Sequence, residues 1–408
     1  IITEMENERM KRLWLALLFT PLLLGGCAIL SLIPVSSSGG ESPTPVIITE
    51  MPVEVVTEVP TAEPVPTEAP SVHWIAFLGS DGNIWLVNPE TTQQQQLTSD
   101  AQTYSDASAV VVSYNTPAWS SDGRYLAFDR ELGTRIPEGY DFTFSTMVYD
   151  ASTGEIRTLL EENTAGYAWQ PGTHLLAYAR SADPNYFVTR GGVDSALATG
   201  IWTVDADSGV VAELVQPEAG YALVSPQWSP NGQILSFNEL IYMEGRGPFA
   251  FHDFSTSSYV RWEESIGSVA WMPDASGLLY DMLNYAPSYE ERIHSIHRDR
   301  TGSVQISPDM VDGYAFYPLV SPDGSTAAYL SVQGMDNSMT TVVVQDLATG
   351  ERRELATFTQ VFHYAWAVDG ASLLVSAGAY PDMKVMQISL ADGMVKVLAG
   401  GWQAAMQP

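Results

Sequence analysis

The sequence predicts an all-β fold in which four-stranded antiparallel sheets repeat around a ring. Three observations carry that reading. A Trp-Ser-Pro-Asp-Gly-like motif recurs along the chain, a second turn of the form Asp-x-x-x-Gly follows most copies, and nothing after Val72 shows a long amphipathic pattern at helical period. The anchor residues Trp119, Trp169, Trp228, Trp271, Val320 and Trp366 are separated by 50, 59, 43, 49 and 46 residues, a period that suits one four-stranded sheet per repeat.

Each repeat reads strand, tight turn, strand, variable loop, strand, hairpin, strand. The motif is clearest as Trp119-Ser120-Ser121-Asp122-Gly123, Trp228-Ser229-Pro230-Asn231-Gly232 and Val320-Ser321-Pro322-Asp323-Gly324, with weaker copies at Trp169, Trp271 and Trp366. Proline presets one turn dihedral and glycine accepts the positive φ that such a turn demands. A strand follows each turn: Tyr125-Leu126-Ala127-Phe128, Ile234-Leu235-Ser236-Phe237 and Ala327-Ala328-Tyr329-Leu330 are examples. The third strand closes on a hairpin marked by Asp150 with Gly154, Asp205 with Gly209, Asp346 with Gly350 and, with a changed first residue, Ser389 with Gly393. Fourth strands of alternating polarity come next, as in Glu155-Ile156-Arg157-Thr158-Leu159.

The motif string, its strand and its closing hairpin resemble the TolB-like or PD40 type of WD40-like β-propeller repeat, over essentially all of residues 72–408. That resemblance implies a propeller fold and protein partners in the cell envelope. The separate N-terminal α/β domain of TolB has no counterpart here, and the propeller scaffold itself serves many functions.

The two ends of the repeat region predict how the ring closes. Residues 73–98 supply only three strands, and residues 401–406 form an orphan strand 36 residues after Trp366. Pairing the orphan into the first sheet closes the ring and removes an exposed sheet edge. Six complete units plus this composite predict a seven-bladed β-propeller; six blades result if a weak unit such as the one at Trp271 packs irregularly.

The region before the repeats reads as an export and tethering segment. From Met10, the plausible start, Lys11-Arg12 precede an apolar run over residues 13–24 and then Gly25-Gly26-Cys27. Leu24-Gly25-Gly26-Cys27 resembles a bacterial lipobox, which implies diacylglyceryl attachment at Cys27, the one cysteine of the chain. Residues 13–35 are alternatively long enough to stay as an uncleaved membrane helix. Both readings place the basic pair in the cytoplasm and the rest outside it, in the periplasm or at the cell surface. Residues 28–70 continue as a stalk: seven prolines and six glutamates with no lysine or arginine fall within residues 36–70, a composition that extends the chain rather than folding it.

Charge and composition exclude several functions. The 408 residues carry 48 acidic and 18 basic side chains, a formal net charge of −30. Residues 1–70 hold nine Glu against three basic residues, so the folded part is strongly acidic by itself. Such a surface repels polyanions, which argues against nucleic acid as a partner. A single cysteine allows no disulfide framework and no Cys-rich zinc site.

The candidate chemistry is sparse. No Gly-x-Ser-x-Gly elbow occurs, and the chain ends with the repeats, so hydrolysis by a prolyl-oligopeptidase type of machinery is not expected. His294 and His297 lie three apart on a strand and point to opposite faces, which disfavours a shared metal. Asp205-Ala206-Asp207-Ser208-Gly209 has the start of a calcium loop but the position of a repeat hairpin, and reads as a turn; a calcium ion in the central channel stays open. Glu161-Glu162, Glu263-Glu264 and Glu290-Glu291 are adjacent pairs, unsuited to paired-carboxylate catalysis. The repeated Trp residues read as core between blades.

The residues that differ between repeats carry the binding expectation. Long second-to-third strand segments at 129–145, 180–200, 239–248 and 284–291 carry Tyr140, Phe142, Phe144, Tyr186, Phe187, Tyr242, Tyr285 and Tyr289. Connectors to the same face add Tyr114, Tyr167, Tyr221, Tyr314, Phe316 and Tyr364. Aromatics beside acids offer stacking and edge hydrogen bonds to a protein, a peptide or a glycan. The sequence thus leads to a monomeric, lipid-anchored envelope protein without cofactor or metal, a non-catalytic binding or assembly module. Two alternatives stand beside it: an extracellular enzyme acting on carbohydrate or peptide with acids in the central funnel, and a sensor ectodomain. Three or more carboxylates converging at the funnel, one of them desolvated, would favour the enzyme.

Overall fold

The recurrent Ser-x-Asp-Gly turn folds the same way at each strong copy, for a local chemical reason. In the second repeat Ser120 Oγ donates to Asp122 Oδ1 (2.6 Å) and accepts from Tyr125 N (2.9 Å), while Arg124 N donates to Asp122 Oδ1 (3.1 Å). The same three bonds recur around Ser229 and Asn231 and around Ser321 and Asp323. The turn needs positive φ after the acid, and Gly123, Gly232 and Gly324 supply it at 71°, 67° and 75°. Ala275 takes that place at 57° in the fifth repeat, where the motif was weakest.

The computed structural model describes residues 73–102, 108–137, 139–180, 200–217, 222–240, 248–262, 266–284, 290–309, 313–333 and 339–408. The predicted signal, Cys27 and stalk lie outside the described residues. Among the described residues all regular structure is β, and no helix is long and apolar enough to cross a membrane.

The described strands fall into seven four-stranded antiparallel units. Residues 401–406 of the long strand Val395–Met406 begin the first unit, followed by Ile75–Gly79, Ile84–Val87 and Gln94–Gln96. The second comprises Val110–Trp119, Tyr125–Ile136, Gly139–Asp150 and Glu155–Leu160; the third, Thr164–Trp169, Leu175–Arg180, Ile201–Asp205 and Val211–Val215. The fourth comprises Ala222–Trp228, Ile234–Leu240, Phe249–Asp253 and Ser258–Trp262; the fifth, Ile266–Trp271, Gly277–Asn284, Glu290–His297 and Val304–Gln305. Gly313–Val320, Thr326–Gln333, Thr340–Asp346 and Arg352–Phe358 form the sixth. Val361–Trp366, Ser372–Ala377 and Lys384–Ser389 form the seventh together with the first half of Val395–Met406.

One apolar cluster sits at each junction between successive units, and the seventh cluster joins the last unit to the first. Leu374 and Val385 there pack with Ile75, Phe77 and Ala404. The repeat anchors behave as core: Trp119, Trp169, Trp228 and Trp271 are buried, each packed against the preceding unit. This is a ring of blades stabilised mainly by apolar burial between neighbours.

One predicted loop is instead strand. Residues 129–145 continue the hairpin of the second blade, pairing from Asp129 with Thr146 out to Ile136 with Gly139. The alternation of Tyr140, Phe142 and Phe144 with polar residues has period two and sustains a ladder. Of residues 284–291, Asn284, Glu290 and Glu291 are strand, with Asn284 opposite Glu290, and residues 285–289 lie outside the described residues.

Candidate functional site

At most junctions the first strands of neighbouring blades contact one another, which puts them around the axis. Each carries a β-bulge at an equivalent place. The ladder slips between Asn115 and Ala118, Thr164 and Tyr167, Val224 and Gln227, Ile266 and Val269, Phe316 and Leu319, and Val361 and His363. Thr116, Ser225, Tyr317 and Gln403 hold positive φ at these points, between 48° and 57°. Such bulges re-aim backbone groups next to functional sites. Thr116, Ser225, Tyr317 and His363 are exposed although they lie on the innermost strands, so the axis is an open channel.

The bulge amides are tied around the channel by side chains of the same or an adjacent blade. Thr116 N donates to Gln403 Oε1 (3.0 Å); Ser268 N and Tyr317 N donate to Asp281 Oδ1 and Oδ2 (2.9 and 3.0 Å). Tyr167 Oη donates to the Thr116 carbonyl and Tyr364 Oη to the Tyr317 carbonyl, each reaching back one blade. Asp281 is fully buried by this service.

Asp129 differs. It occupies the place of Asp281 in its own repeat, directly after the conserved-type aromatic of the second strand (Phe128, against Tyr280), yet it bonds no amide of the bulge. Thr116 Oγ1 donates to its Oδ2 and Thr146 Oγ1 to its Oδ1, both at 3.1 Å. Part of the side chain stays open to the channel. Desolvation by the surrounding strands outweighs the two hydroxyl donors and raises its pKa to about 7. The nearby Tyr167 phenol is pushed well above its ordinary pKa by burial and then by the Asp129 charge, and stays neutral. His363, on another innermost strand, opens on the channel but is crowded by the strands that wall it, and this desolvation lowers its pKa and favours neutral imidazole. A carboxyl titrating near neutrality in a channel, with hydroxyls and a phenol beside it, is suited to moving a proton.

The opposite end of the blades carries a charged cluster at the junction of the second and third. His174 Nε2 lies 2.8 Å from Asp122 Oδ2 and its Nδ1 2.6 Å from Asp207 Oδ2. Tyr125 Oη and Arg124 Nη1 also donate to Asp207, and Arg124 Nη2 reaches Asp150. With a carboxylate at each ring nitrogen, the imidazolium form is favoured and the His174 pKa rises; Asp122 falls to about 2 although burial opposes this, because His174 and Ser120 bond it. The His174 contribution is present below its unfolded pKa near 6.5 and lost as pH rises through the higher folded value. The Asp122 contribution is present above its unfolded value near 3.9 and lost as pH falls toward 2. His174→Ala is therefore expected to cost on the order of 1 kcal/mol around pH 5, the exposure of both carboxylates limiting the effect. The loss should shrink above neutrality; thermal melts at pH 5 and 8.5 check this, and equal losses would count against the staple.

The predicted binding-face residues divide. Tyr140, Phe142 and Phe144 line one face of the extended hairpin, with ring centroids 6.0 and 6.4 Å apart in succession. Phe142 is 40% exposed and its ring lies across Gly133, where any Cβ would collide at 2.6 Å. Tyr140 Oη donates to the Ser108 carbonyl (2.6 Å). Tyr186, Phe187, Tyr242, Tyr285 and Tyr289, and with them Tyr221, lie outside the described residues. Tyr114, Tyr167 and Tyr364 are not a binding rim: Tyr114 and Tyr364 are buried, and all three spend their hydroxyls on structural bonds, Tyr114 with Asp100.

His294 stacks on Tyr280 (5.4 Å between centroids) and is lowered in pKa by burial, while His297 lies in the turn-side groove. The Asp205 carboxylate accepts from Asp207 N, Ser208 N and Ser208 Oγ, an Asx turn. Among the described residues no group of three His, Cys, Asp or Glu side chains is placed to hold a metal ion.

These features define a β-propeller, and solved structures share its architecture. An oligogalacturonate lyase in complex with manganese is 14% identical, covers 80% of this chain and 84% of its own, and superposes with a TM-score of 0.56. A prolyl endopeptidase is 15% identical at TM-score 0.57, covering 80% of this chain and 47% of its own. The periplasmic gluconolactonase of Pseudomonas aeruginosa is 14% identical at TM-score 0.51, covering 82% and 99%. Dipeptidyl-peptidase 5 of Porphyromonas gingivalis is 28% identical over 145 residues, which are 33% of this chain and only 21% of that protein. No protein-family model matches.

The expectation of a protein that is not an enzyme is corrected by these comparisons, since a lyase, a lactonase and peptidases are among the proteins it resembles. The physical reason lies in the architecture. A propeller gathers its functional side chains from separate blades, so the lack of a contiguous catalytic motif excludes nothing. Asp129 was missed for the same reason. The signal was a comparison of repeats: Asp129, Asn238 and Asp281 bring a carboxyl or amide where other copies carry Ala179, Leu330 and Ser376.

Proposed function

We propose that the propeller is an extracytoplasmic enzyme acting on a carbohydrate or peptide substrate at its channel, with Asp129 as general base. The observation that carries this reading is the Asp129 carboxyl at the channel wall, held by two threonine hydroxyls and desolvated enough to raise its pKa to about 7. Its ionised form is held by the hydroxyls of Thr116 and Thr146 and takes a proton from substrate; Tyr167 and neutral His363 line the same channel. A base with that pKa is matched to work near neutral pH. The enzymes among its structural relatives support the class of activity. Asp281, buried at the same ring of bulges, is spent on two backbone amides, whereas the Asp129 carboxyl meets only hydroxyls. Turnover of an oligosaccharide and oligopeptide panel by the full chain and by Asp129→Asn tests the proposal.

The export signal supports a site outside the cytoplasm, with the chain tethered through Cys27. Mass spectrometry of the mature N-terminus is expected to find diacylglyceryl on Cys27; an uncleaved, unmodified chain would remove the lipid anchor from this proposal.

A further inference from the structure

Between the fourth and fifth blades the wall of the channel opens into a cavity of about 390 Å³. That is toward the small end of ligand pockets, which run from roughly 300 to 1,000 Å³. Four of its lining residues, Ser225, Gln227, Asn238 and Ser268, offer side-chain hydrogen-bonding groups. None of those four side chains has a hydrogen-bond partner among the described residues. Ser236, also in the lining, is already committed: its hydroxyl donates to the Gln227 carbonyl (3.0 Å) and accepts from Trp271 Nε1 (3.1 Å). The remaining walls come from Val224, Val269, Phe237 and Phe249.

The cavity exists because Asn238 stands where Asp129 and Asp281 stand in their repeats and makes neither set of bonds. Asp281 takes the bulge amide of its own blade and that of the next; Asp129 is closed over by two threonine hydroxyls. Asn238 leaves its amide facing open space.

We infer that this pocket binds one neutral sugar ring of a saccharide substrate. Every free polar group in it is an amide or a hydroxyl, able both to donate and to accept, as the hydroxyls of a sugar do. Among the described residues no charged side chain lines it, so nothing there pairs with an anionic or a cationic ligand head. Val224 and Val269 offer aliphatic contact to the C–H surface of a pyranose, with Phe237 and Phe249 buried behind them. The inference names the substrate class of the enzyme proposed above and rests on that reading for turnover, but not for binding.

The test is calorimetric titration of the full chain in detergent with cellotriose, chitotriose and mannotriose, alongside trigalacturonate and trialanine. One of the neutral trisaccharides is expected to bind saturably. Asn238→Leu and Gln227→Leu should each weaken Kd roughly tenfold, about the worth of a hydrogen-bonding group left unpaired at a ligand. If Asn238→Leu lowers the melting midpoint, Gln227→Ala combined with Ser268→Ala makes the same test without added bulk. Asp129→Asn should keep the affinity. Absence of binding by all three neutral sugars, tighter binding of trigalacturonate or trialanine, or affinity indifferent to the pocket substitutions overturns the inference. Peptide turnover abolished by Asp129→Asn without sugar binding would overturn the pocket assignment and leave the enzyme. Sugar binding in a protein whose Asp129→Asn variant turns over unchanged would remove the catalytic reading and leave the pocket.

Discussion

Deleting residues 400–408 is expected to leave the propeller unfolded or to lower its melting midpoint by tens of degrees. The segment completes the first blade, pairing Met406 with Ile75, Ala405 with Ala76, Trp402 with Leu78 and Gly401 with Gly79. Ala404 is wholly buried in the cluster that joins the seventh blade to the first, and Trp402 and Ala405 pack on the cluster joining the first to the second. Beyond the ladder, Gln407 N donates to the Trp74 carbonyl (2.8 Å), Trp74 N to Gln407 Oε1 (3.0 Å), and Gln407 Nε2 to the Gly123 carbonyl (2.6 Å). Each lost hydrogen bond costs about 1 kcal/mol and a large apolar side chain about 1.5–3 kcal/mol. The total rivals a typical whole-domain stability of about 5–15 kcal/mol, and the edge of Ile75–Gly79 would be left open to aggregation.

A gentler variant separates the seam from the loss of chain. Gly401 has φ of 149°, and a Cβ on it would meet the Leu78 carbonyl oxygen at 2.2 Å. Gly401→Ala should therefore destabilise the fold strongly while every other residue remains. Differential scanning calorimetry of both variants checks the claim; unchanged melting would break the closure argument.

Replacing Asp129 with Asn should cut kcat by roughly 10²–10⁴-fold, the usual worth of a positioned base, with melting little changed. The two threonine hydroxyls remain to hold the amide, one donating to its oxygen and the other accepting from its NH2. The native enzyme should show kcat/KM rising with pH through about 7, as the base ionises. Stability should move the other way. The folded carboxyl holds its proton to about 7 while the unfolded one loses it near 3.9, so stability falls as pH rises between those values. Asp129→Asn has no proton to lose and should remove that slope. A pH–rate profile flat from 5.5 to 8.5 would take Asp129 out of the chemistry, whatever the mutant did.

The asymmetry between Asp129 and Asp281 shows how a repeat protein makes a site. Both follow an aromatic at the end of a repeated strand. Asp281 is spent on two bulge amides and becomes structural. Asp129 is met by hydroxyls instead, because the first blade supplies Gln403 to the Thr116 amide. The neighbouring blade thus decides which carboxyl is free for chemistry.

By itself the sequence determined the all-β class, the repeat unit, both turn types and the pairing of residues 401–406 with the first sheet. Those features rest on short-range chemistry, serine and aspartate closing a turn and glycine taking positive φ, and on a period that repeats along the chain. It also identified the Trp anchors as core, because one position recurring in every unit cannot be a unique ligand contact. Only the tertiary structure decided that residues 129–145 are an extended hairpin, that Tyr114, Tyr167 and Tyr364 are spent on structural bonds, and that Asp129, Tyr167 and His363 share one channel. The cavity around Asn238 is of the same kind. Desolvation and convergence depend on which blades surround a residue, and those neighbours lie tens to hundreds of positions away in the chain.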